Sequence, residues 1–330
     1  IYSWRGADIK YLLELDKAYP GTRTILMMEN YRSTPEILAA ANSLIGKNQY
    51  RIKKDLIPVR ASGSPVRCHL SDTQDGEAKW IAEQIAKAQN EVLVFMPNAI
   101  RDGIEEFVLA DDEKVGFVFP VYSWGPPLSV LRFLDWITLS NYHSQYVFFV
   151  CSCGDDTGLT EELFRRALSR KGMECNAGFS VAMPNNYVLL PGFDVDKKEL
   201  EKKKLDEAVG RVEEINDSIT GKKIGFHCNE GSFPWFKTKV LNPLFNRFMT
   251  SAKPLYATDD CIGCKRCERI CPVGNVVMIG WRPVWGMDCT SCLACYHVCP
   301  KHAVQYGRRT KRKGQYLNPN VSISHEAAAQ

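Results

Sequence analysis

The cysteines are the residues whose type and spacing speak of chemistry first. In the stretch CIGCKRCERICPVGNVVMIGWRPVWGMDCTSCLACYHVCP they stand at 261, 264, 267 and 271, with Pro272 next. They stand again at 289, 292, 295 and 299, with Pro300 next. Each half reads C-x2-C-x2-C-x3-C-P. Three cysteines at that pitch on a tight loop can aim their sulfurs at three irons of one cubane, while the fourth lies too far along the chain and reaches across to the other cluster. The spacing therefore assigns Cys261, Cys264, Cys267 and Cys299 to one [4Fe–4S] cluster, and Cys289, Cys292, Cys295 and Cys271 to a second. Pro272 and Pro300 fix φ and turn the chain away, and Gly263 lets backbone approach closely. Two zinc sites would need only paired C-x2-C units, not a third cysteine and a Cys-Pro in both halves. A disulfide framework suits small secreted domains, and nothing else here points to secretion.

This stretch resembles the two-[4Fe–4S] ferredoxin family. The resemblance implies an α+β domain over 254–308 that carries electrons. The 330 residues leave room for two or three domains. A hydrophobic content of 45% with 24% charged residues is ordinary for a soluble chain. There is no apolar run long enough to span a membrane and no signal peptide. The remaining cysteines (Cys68, Cys151, Cys153, Cys175 and Cys228) are scattered, which points to a reducing cytoplasm. The net charge of +4 is too small to imply nucleic acid by itself.

The elements upstream alternate. KWIAEQIAKAQ (79–89) reads as an amphipathic helix, VLVFM (92–96) as a strand, and VGFVFPVYSWGPP (115–127) as a buried strand running into a loop. PPLSVLRFLDWITL follows as a helix begun on proline. YVFFVCSCGDD (146–156) is a second buried strand and loop, LTEELFRRALSRKG a helix, and CNAGFSVAM (175–183) a further strand. Continuous apolar strands between helices mean a doubly wound parallel α/β sheet. Ligands in such sheets sit beyond the carboxyl ends of the strands, at a switch point.

From about 77 to 308 the chain resembles a flavodoxin–ferredoxin fusion family, PVYSWGPP included, with a flavodoxin-like domain expected over 66–253. The resemblance implies FMN, its ring flanked by Tyr122, Trp124, Gly125, Cys153 and Gly154, and its phosphate near Ser71, Thr73 and Gly76. The composition at the phosphate end is wrong for that task. Asp72, Asp75 and Glu77 set like charge beside a dianion, so weak or absent FMN binding is expected. Tyr122 and Trp124 as simple covers of the sheet end are the plain alternative.

Residues 196–219 read as a solvated charged helix. The aromatic and basic segment 231–249 reads as a bridge between the two redox domains, with a membrane-surface helix as the alternative. The tail 309–330, entered through Arg308-Arg309-Thr310-Lys311-Arg312-Lys313, is expected to be disordered.

The first 65 residues differ from the rest. Trp4 could stack on an unpaired base, and Arg5 and Arg32 could reach a γ-phosphate. The plain alternative makes Trp4 and Tyr31 core aromatics and the arginines surface charges. Two motifs in order, IYSWRGADI (1–9) and ENYRST (29–34), resemble motifs III and IV of UvrD/Rep-type superfamily-one DNA helicases. That resemblance covers residues 1 to about 75 and implies that Tyr31 stacks on adenine. No G-x-x-x-x-G-K-[ST] occurs in the chain, so no ATPase or helicase activity is expected and DNA or ATP enters only through the resemblance. The chain begins at Ile1-Tyr2 inside a motif and is expected to be a piece or a chimera. The joint is placed at 66–78, where both families share strand, loop and helix. The whole reads as an electron-transfer protein with a non-catalytic helicase fragment ahead and an unidentified redox partner. The alternative is a DNA-binding, helicase-related protein with structural clusters.

Overall fold

The computed structural model describes residues 76–320, together with 19, 21, 28–31, 38 and 56–59. The chain divides into two units, Ile1–His69 and Leu70–Gln330. In the first, strand β1 (Glu29–Asn30) pairs in parallel with β2 (Ile57–Pro58). The motif at 1–9, the second half of the motif at 29–34 and most of the joint placed at 66–78 lie outside the described residues.

The second unit opens on helix α1 (Gly76–Gln89) and the short α2 (Met96–Arg101). The strand expected at 92–96 does not form. Val92 is 87% exposed, so its apolar side chain meets no sheet, and Pro97 starts α2 at its first turn instead. A minor parallel pair joins β3 (Glu106–Val108) to β5 (Thr138–Ser140), so the end of the expected helix PPLSVLRFLDWITL is a strand.

The main sheet is four-stranded and parallel: β4 (Val115–Pro120), β6 (Val147–Cys153), β7 (Ala177–Ala182) and β8 (Gly225–His227), side by side in that order. Helices α3 (Leu128–Trp136), α4 (Thr160–Arg170) and α5 (Lys198–Thr220) connect them. All of β6 is buried, and its alternate residues enter two separate cores. Val147, Phe149 and Cys151 join Phe133 and Leu134 of α3 and Phe164 and Leu168 of α4. Phe148 and Val150 join Ile81 and Ile85 of α1 and Val212 and Ile215 of α5. Helices thus cover both faces, the α/β layering that the apolar strands require. The expected solvated helix is α5, and its apolar stripe is buried here.

Two glycines let β6 carry adjacent phenylalanines. Gly116 lies opposite Phe148 and Gly178 opposite Phe149. A Cβ at either position would stand 2.3 Å from the facing ring. Each ring fills the space its partner leaves empty.

After β8 the chain forms one helical rod: α6 (Pro234–Phe236), a π-turn at Lys237–Leu241, and α7 (Asn242–Phe248). The C-terminal part then pairs β9 (Leu255–Ala257) antiparallel with β12 (Val304–Tyr306). Between them lie α8 (Arg266–Arg269), the hairpin β10 (Val276–Ile279) and β11 (Arg282–Trp285), and α9 (Ala294–His297). The two-residue hairpin turn starts on Gly280 at φ 62°, where a primed turn needs a positive angle.

Residues 309–320 are not a disordered tail. The Thr310 hydroxyl accepts from the Tyr306 N–H at 2.8 Å, and the Tyr316 N–H donates to His297 Nδ1 at 3.0 Å. The Gln315 amide donates to the carbonyls of Tyr296 and Cys299. Arg308, Arg309, Lys311 and Arg312 stay exposed, the Lys313 ammonium donates to the Phe193 carbonyl, and the backbone is tied to β12 and α9. Residues 321–330 lie outside the described residues.

Candidate metal centre

The two cysteine runs fold alike. Between first and second cysteine, Gly263 and Ser291 have φ of 63° and 58°. Between second and third, Lys265 and Leu293 both have φ of 62° and cap α8 and α9. Repeated left-handed turns of this kind point successive backbone N–H groups inward, a concavity suited to an anionic group. The fourth cysteines are equivalent too. Cys271 Sγ accepts from the Asn275 N–H at 3.1 Å, and Cys299 Sγ from the Ala303 N–H at 3.2 Å. The Ser291 N–H approaches Cys289 Sγ at 3.4 Å.

A cavity of about 20 Å³ lies among Cys271, Cys289, Cys292 and Cys295, beside Trp285. Its cysteines are three from the second run and the fourth from the first. Cys267, in turn, lies close enough to Cys264 and Cys299 to feel their charge. Burial pushes the thiols of Cys267 and Cys295 up to about 12, so only a bound cation would hold them as thiolates. The Trp285 indole N–H is buried with no well-aligned acceptor among the described residues, yet it is near enough to favour the charged form of Cys295. An N–H placed beside sulfur is what a cluster site supplies. Among the described residues, no three His, Cys, Asp or Glu side chains converge as a single ion needs. Sulfurs on one zinc would stand about 3.8 Å apart. The donor set fits clusters in which each thiolate takes its own iron.

His297 is not part of that donor set. Its Nε2 lies 2.7 Å from the Asn186 carbonyl and its Nδ1 accepts from Tyr316, so both nitrogens are occupied.

A second cavity, of about 80 Å³, lies beyond the carboxyl ends of β4 and β6. Tyr122, Cys153 and Gly154 line it, as do Ser291 and Cys292, so these two residues form a wall shared with the cysteine cavity. Tyr187 and Ser291 line it too, and their hydroxyls are buried without a partner among the described residues. Trp124 and Gly125 are placed otherwise. Tyr122 and Gly125 close a tight turn whose central residues, Ser123 and Trp124, have φ of 47° and 62°. Neither is glycine, so the turn stores strain of about 1–3 kcal/mol per residue.

The helical rod holds that turn from behind. Asn242 donates to the carbonyls of Tyr122 and Ser123, each at 3.0 Å, and the Thr238 hydroxyl donates to the Trp124 carbonyl at 2.8 Å. Gly125 has no room for a Cβ, which would meet the Asn242 amide at 2.7 Å. The loop after β6 is fixed by a nearly buried ammonium. Lys204 Nζ meets the Asp196 carboxylate at 2.7 Å and donates to the Gly154 carbonyl at 2.7 Å. Sequence reasoning missed Lys204, Tyr187, Thr238 and Asn242. The one available signal was that polar residues recur at 238, 242 and 246 in a segment otherwise aromatic and basic.

Burial, with Asp156 adding to it, pushes the Cys153 thiol up to about 12, and a hydrogen bond with Cys228 and burial hold Cys151 well above the ordinary range. Neither is a ready nucleophile. A flat ring could meet the backbone and hydroxyls of the second cavity, but an FMN phosphate does not fit there. Glu77, in the first turn of α1, lines the cavity and is itself buried. The space also falls well short of the ~300 Å³ at the low end of cofactor pockets. Of the expected phosphate residues, Gly76 opens α1, while Ser71 and Thr73 lie outside the described residues, as do Asp72 and Asp75.

Of the nucleotide residues, Tyr31 is described and Trp4, Arg5 and Arg32 are not. Tyr31 is exposed and donates to the Glu29 carboxylate, so it is not a core aromatic.

Fold and cysteine sites together define a chain of two kinds of segment. Residues 260–304 match the 4Fe-4S dicluster domain. Residues 25–99 match the UvrD-like helicase C-terminal domain. The chain is 42% identical over 85 residues to the ATP-dependent DNA helicase UvrD1 of Mycobacterium bovis, covering 26% of this chain and 11% of that protein. It is 39% identical over 89 residues to the ATP-dependent DNA helicase PcrA of Staphylococcus epidermidis, covering 27% and 12%. The chain thus spans only about a ninth of the length of these helicases. The helicase match runs past 75 to residue 99, through α1. Yet Ile81 and Ile85 of that helix pack into the parallel sheet's core. Among the described residues no helix is long and apolar enough to cross a membrane.

Proposed function

We propose that this chain transfers electrons through two [4Fe–4S] clusters. Cys261, Cys264, Cys267 and Cys299 hold one, and Cys289, Cys292, Cys295 and Cys271 the other. One observation carries the reading: a single cavity joins the second run's first three cysteines to the fourth cysteine of the first run. Bound clusters would supply one-electron chemistry. The protein's own part is to hold eight thiolates, to aim the N–H groups of Asn275 and Ala303 at the crossing sulfurs, and to exclude water. The wall at Ser291 and Cys292 makes the second site the one nearer the sheet-edge cavity, and so the side on which an electron donor would act. FMN binds there weakly or not at all, because Glu77 opposes its phosphate. The helicase-like segment serves no catalytic role in this reading, and the setting is cytoplasmic. The match over 25–99 favours a second reading, a DNA-binding protein whose clusters are structural.

Substituting Cys271→Ala tests the crossing. The second cluster should be lost although Cys271 belongs to the first run, while the spectrum of the first survives. Loss confined to the first cluster would refute the ligand assignment. Clusters that cannot be reduced and reoxidised without unfolding the chain would favour the structural reading.

A further inference from the structure

The rod from Pro234 to Phe248 is turned inside out for a surface helix. Its polar residues face the protein: Thr238 and Asn242 are buried and bonded to the loop at 122–125. Lys237 pairs with Asp156 at 2.6 Å and Lys239 with Glu162 at 2.7 Å. Phe245 packs inward against Tyr187, but the other large aromatic residues and Leu244 face outward. Phe233 is 80% exposed, Trp235 63%, Phe236 50%, Leu244 49% and Phe248 64%. Packing against the body does not explain that face, because the body is held by the other one. Apolar surface gathered on one ridge marks an interaction site.

The charge around the ridge narrows the occupant. From 231 to 258 the chain has no Asp or Glu; of its four cations, Lys237 and Lys239 are taken by Asp156 and Glu162, which leaves Arg247 and Lys253 with no carboxylate partner among the described residues. The Arg247 guanidinium lies over the Phe248 ring, 5.5 Å from its centre, so it can lie along the apolar surface while its charge stays at the edge. An exposed ridge of Phe, Trp and Leu with Arg247 at its edge and Lys253 following matches the boundary between acyl chains and anionic headgroups. One short helix is also narrow for the ~1,200 Å² that a specific protein interface buries.

We propose that this ridge docks the chain on the surface of an anionic lipid bilayer, with Trp235 and the phenylalanines sunk to the headgroup level. The docking is peripheral and independent of the cluster reading. It places the membrane contact on the rod that also clamps the loop at 122–125.

Co-sedimentation of the full chain with vesicles tests this. Vesicles of phosphatidylcholine with phosphatidylglycerol should capture the protein, less so as salt is added. Pure phosphatidylcholine should capture little. The double substitution Trp235→Ser and Phe248→Ser removes two aromatic anchors and should weaken partition at least about tenfold. Arg247→Gln with Lys253→Gln should reduce only the phosphatidylglycerol-dependent part. Unchanged iron content would show that these variants are folded. Equal capture of the aromatic double variant and the unsubstituted chain would overturn the proposal. So would no capture by either vesicle. A dimer in size-exclusion chromatography that the same double variant dissolves, without vesicle binding, would assign the ridge to a second copy instead.

Discussion

Glu77 shows how one side chain can decide what a cavity will accept. It sits in the first turn of α1, where the backbone N–H groups and the helix dipole favour an anion. A carboxylate there serves the helix and occupies the electrostatic place that a phosphate would need. Two like charges at ~4–5 Å in partial solvent repel by a few kcal/mol. Removing that charge should therefore be visible: Glu77→Gln should tighten FMN binding by about tenfold or more in a flavin titration. Nanomolar affinity in the unsubstituted chain would contradict the argument. The cysteine pattern is read directly from the sequence because ligand spacing is local and covalent. Lys204 is not, since its partners Asp196 and Gly154 come from loops that only the folded sheet brings together.

At the level of elements, β4, β6 and β7 were legible because each is a continuous apolar run, as a strand buried on both faces must be. The run at 92–96 looked the same and failed, since no neighbour covers Val92 and Pro97 claims the next turn for a helix. Short apolar runs carry no periodicity that separates the two outcomes. The tail misled for a different reason. Its lysines and arginines announce solvent, but Thr310 among them is bonded to β12, and Tyr316 just after them is bonded to His297 of α9. The paired glycines make a sharper statement about the sheet. In Gly178→Ala the new methyl would stand 2.3 Å from the Phe149 ring, with the Phe226 ring 2.9 Å away on its other side. Neither ring is a flexible tip, so overpacking of about 1–3 kcal/mol is expected. Denaturant unfolding would show it as a lower midpoint with an unchanged slope. A midpoint equal to that of the unsubstituted chain would mean that β6 and β7 can part at no cost.

Across the whole molecule, α1 stands at the meeting of two histories. Its sequence lies within the helicase match, and its apolar face lies in the parallel sheet's core. Strand, loop and helix recur in both contexts, so an amphipathic helix of either origin can fill the slot. This chain has no Gly-rich phosphate loop with Lys and Ser or Thr, so it should show no ATP turnover with or without single-stranded DNA. Turnover by homogeneous protein that Arg32→Ala abolishes would contradict that.

The central claim is that two complete cysteine sets hold two cubanes, and counting iron tests it most directly. Purified and reconstituted without oxygen, the chain should carry about eight irons and eight sulfides. Its broad absorbance near ~400 nm should bleach on reduction. Tightly bound zinc with no such absorbance would contradict the account.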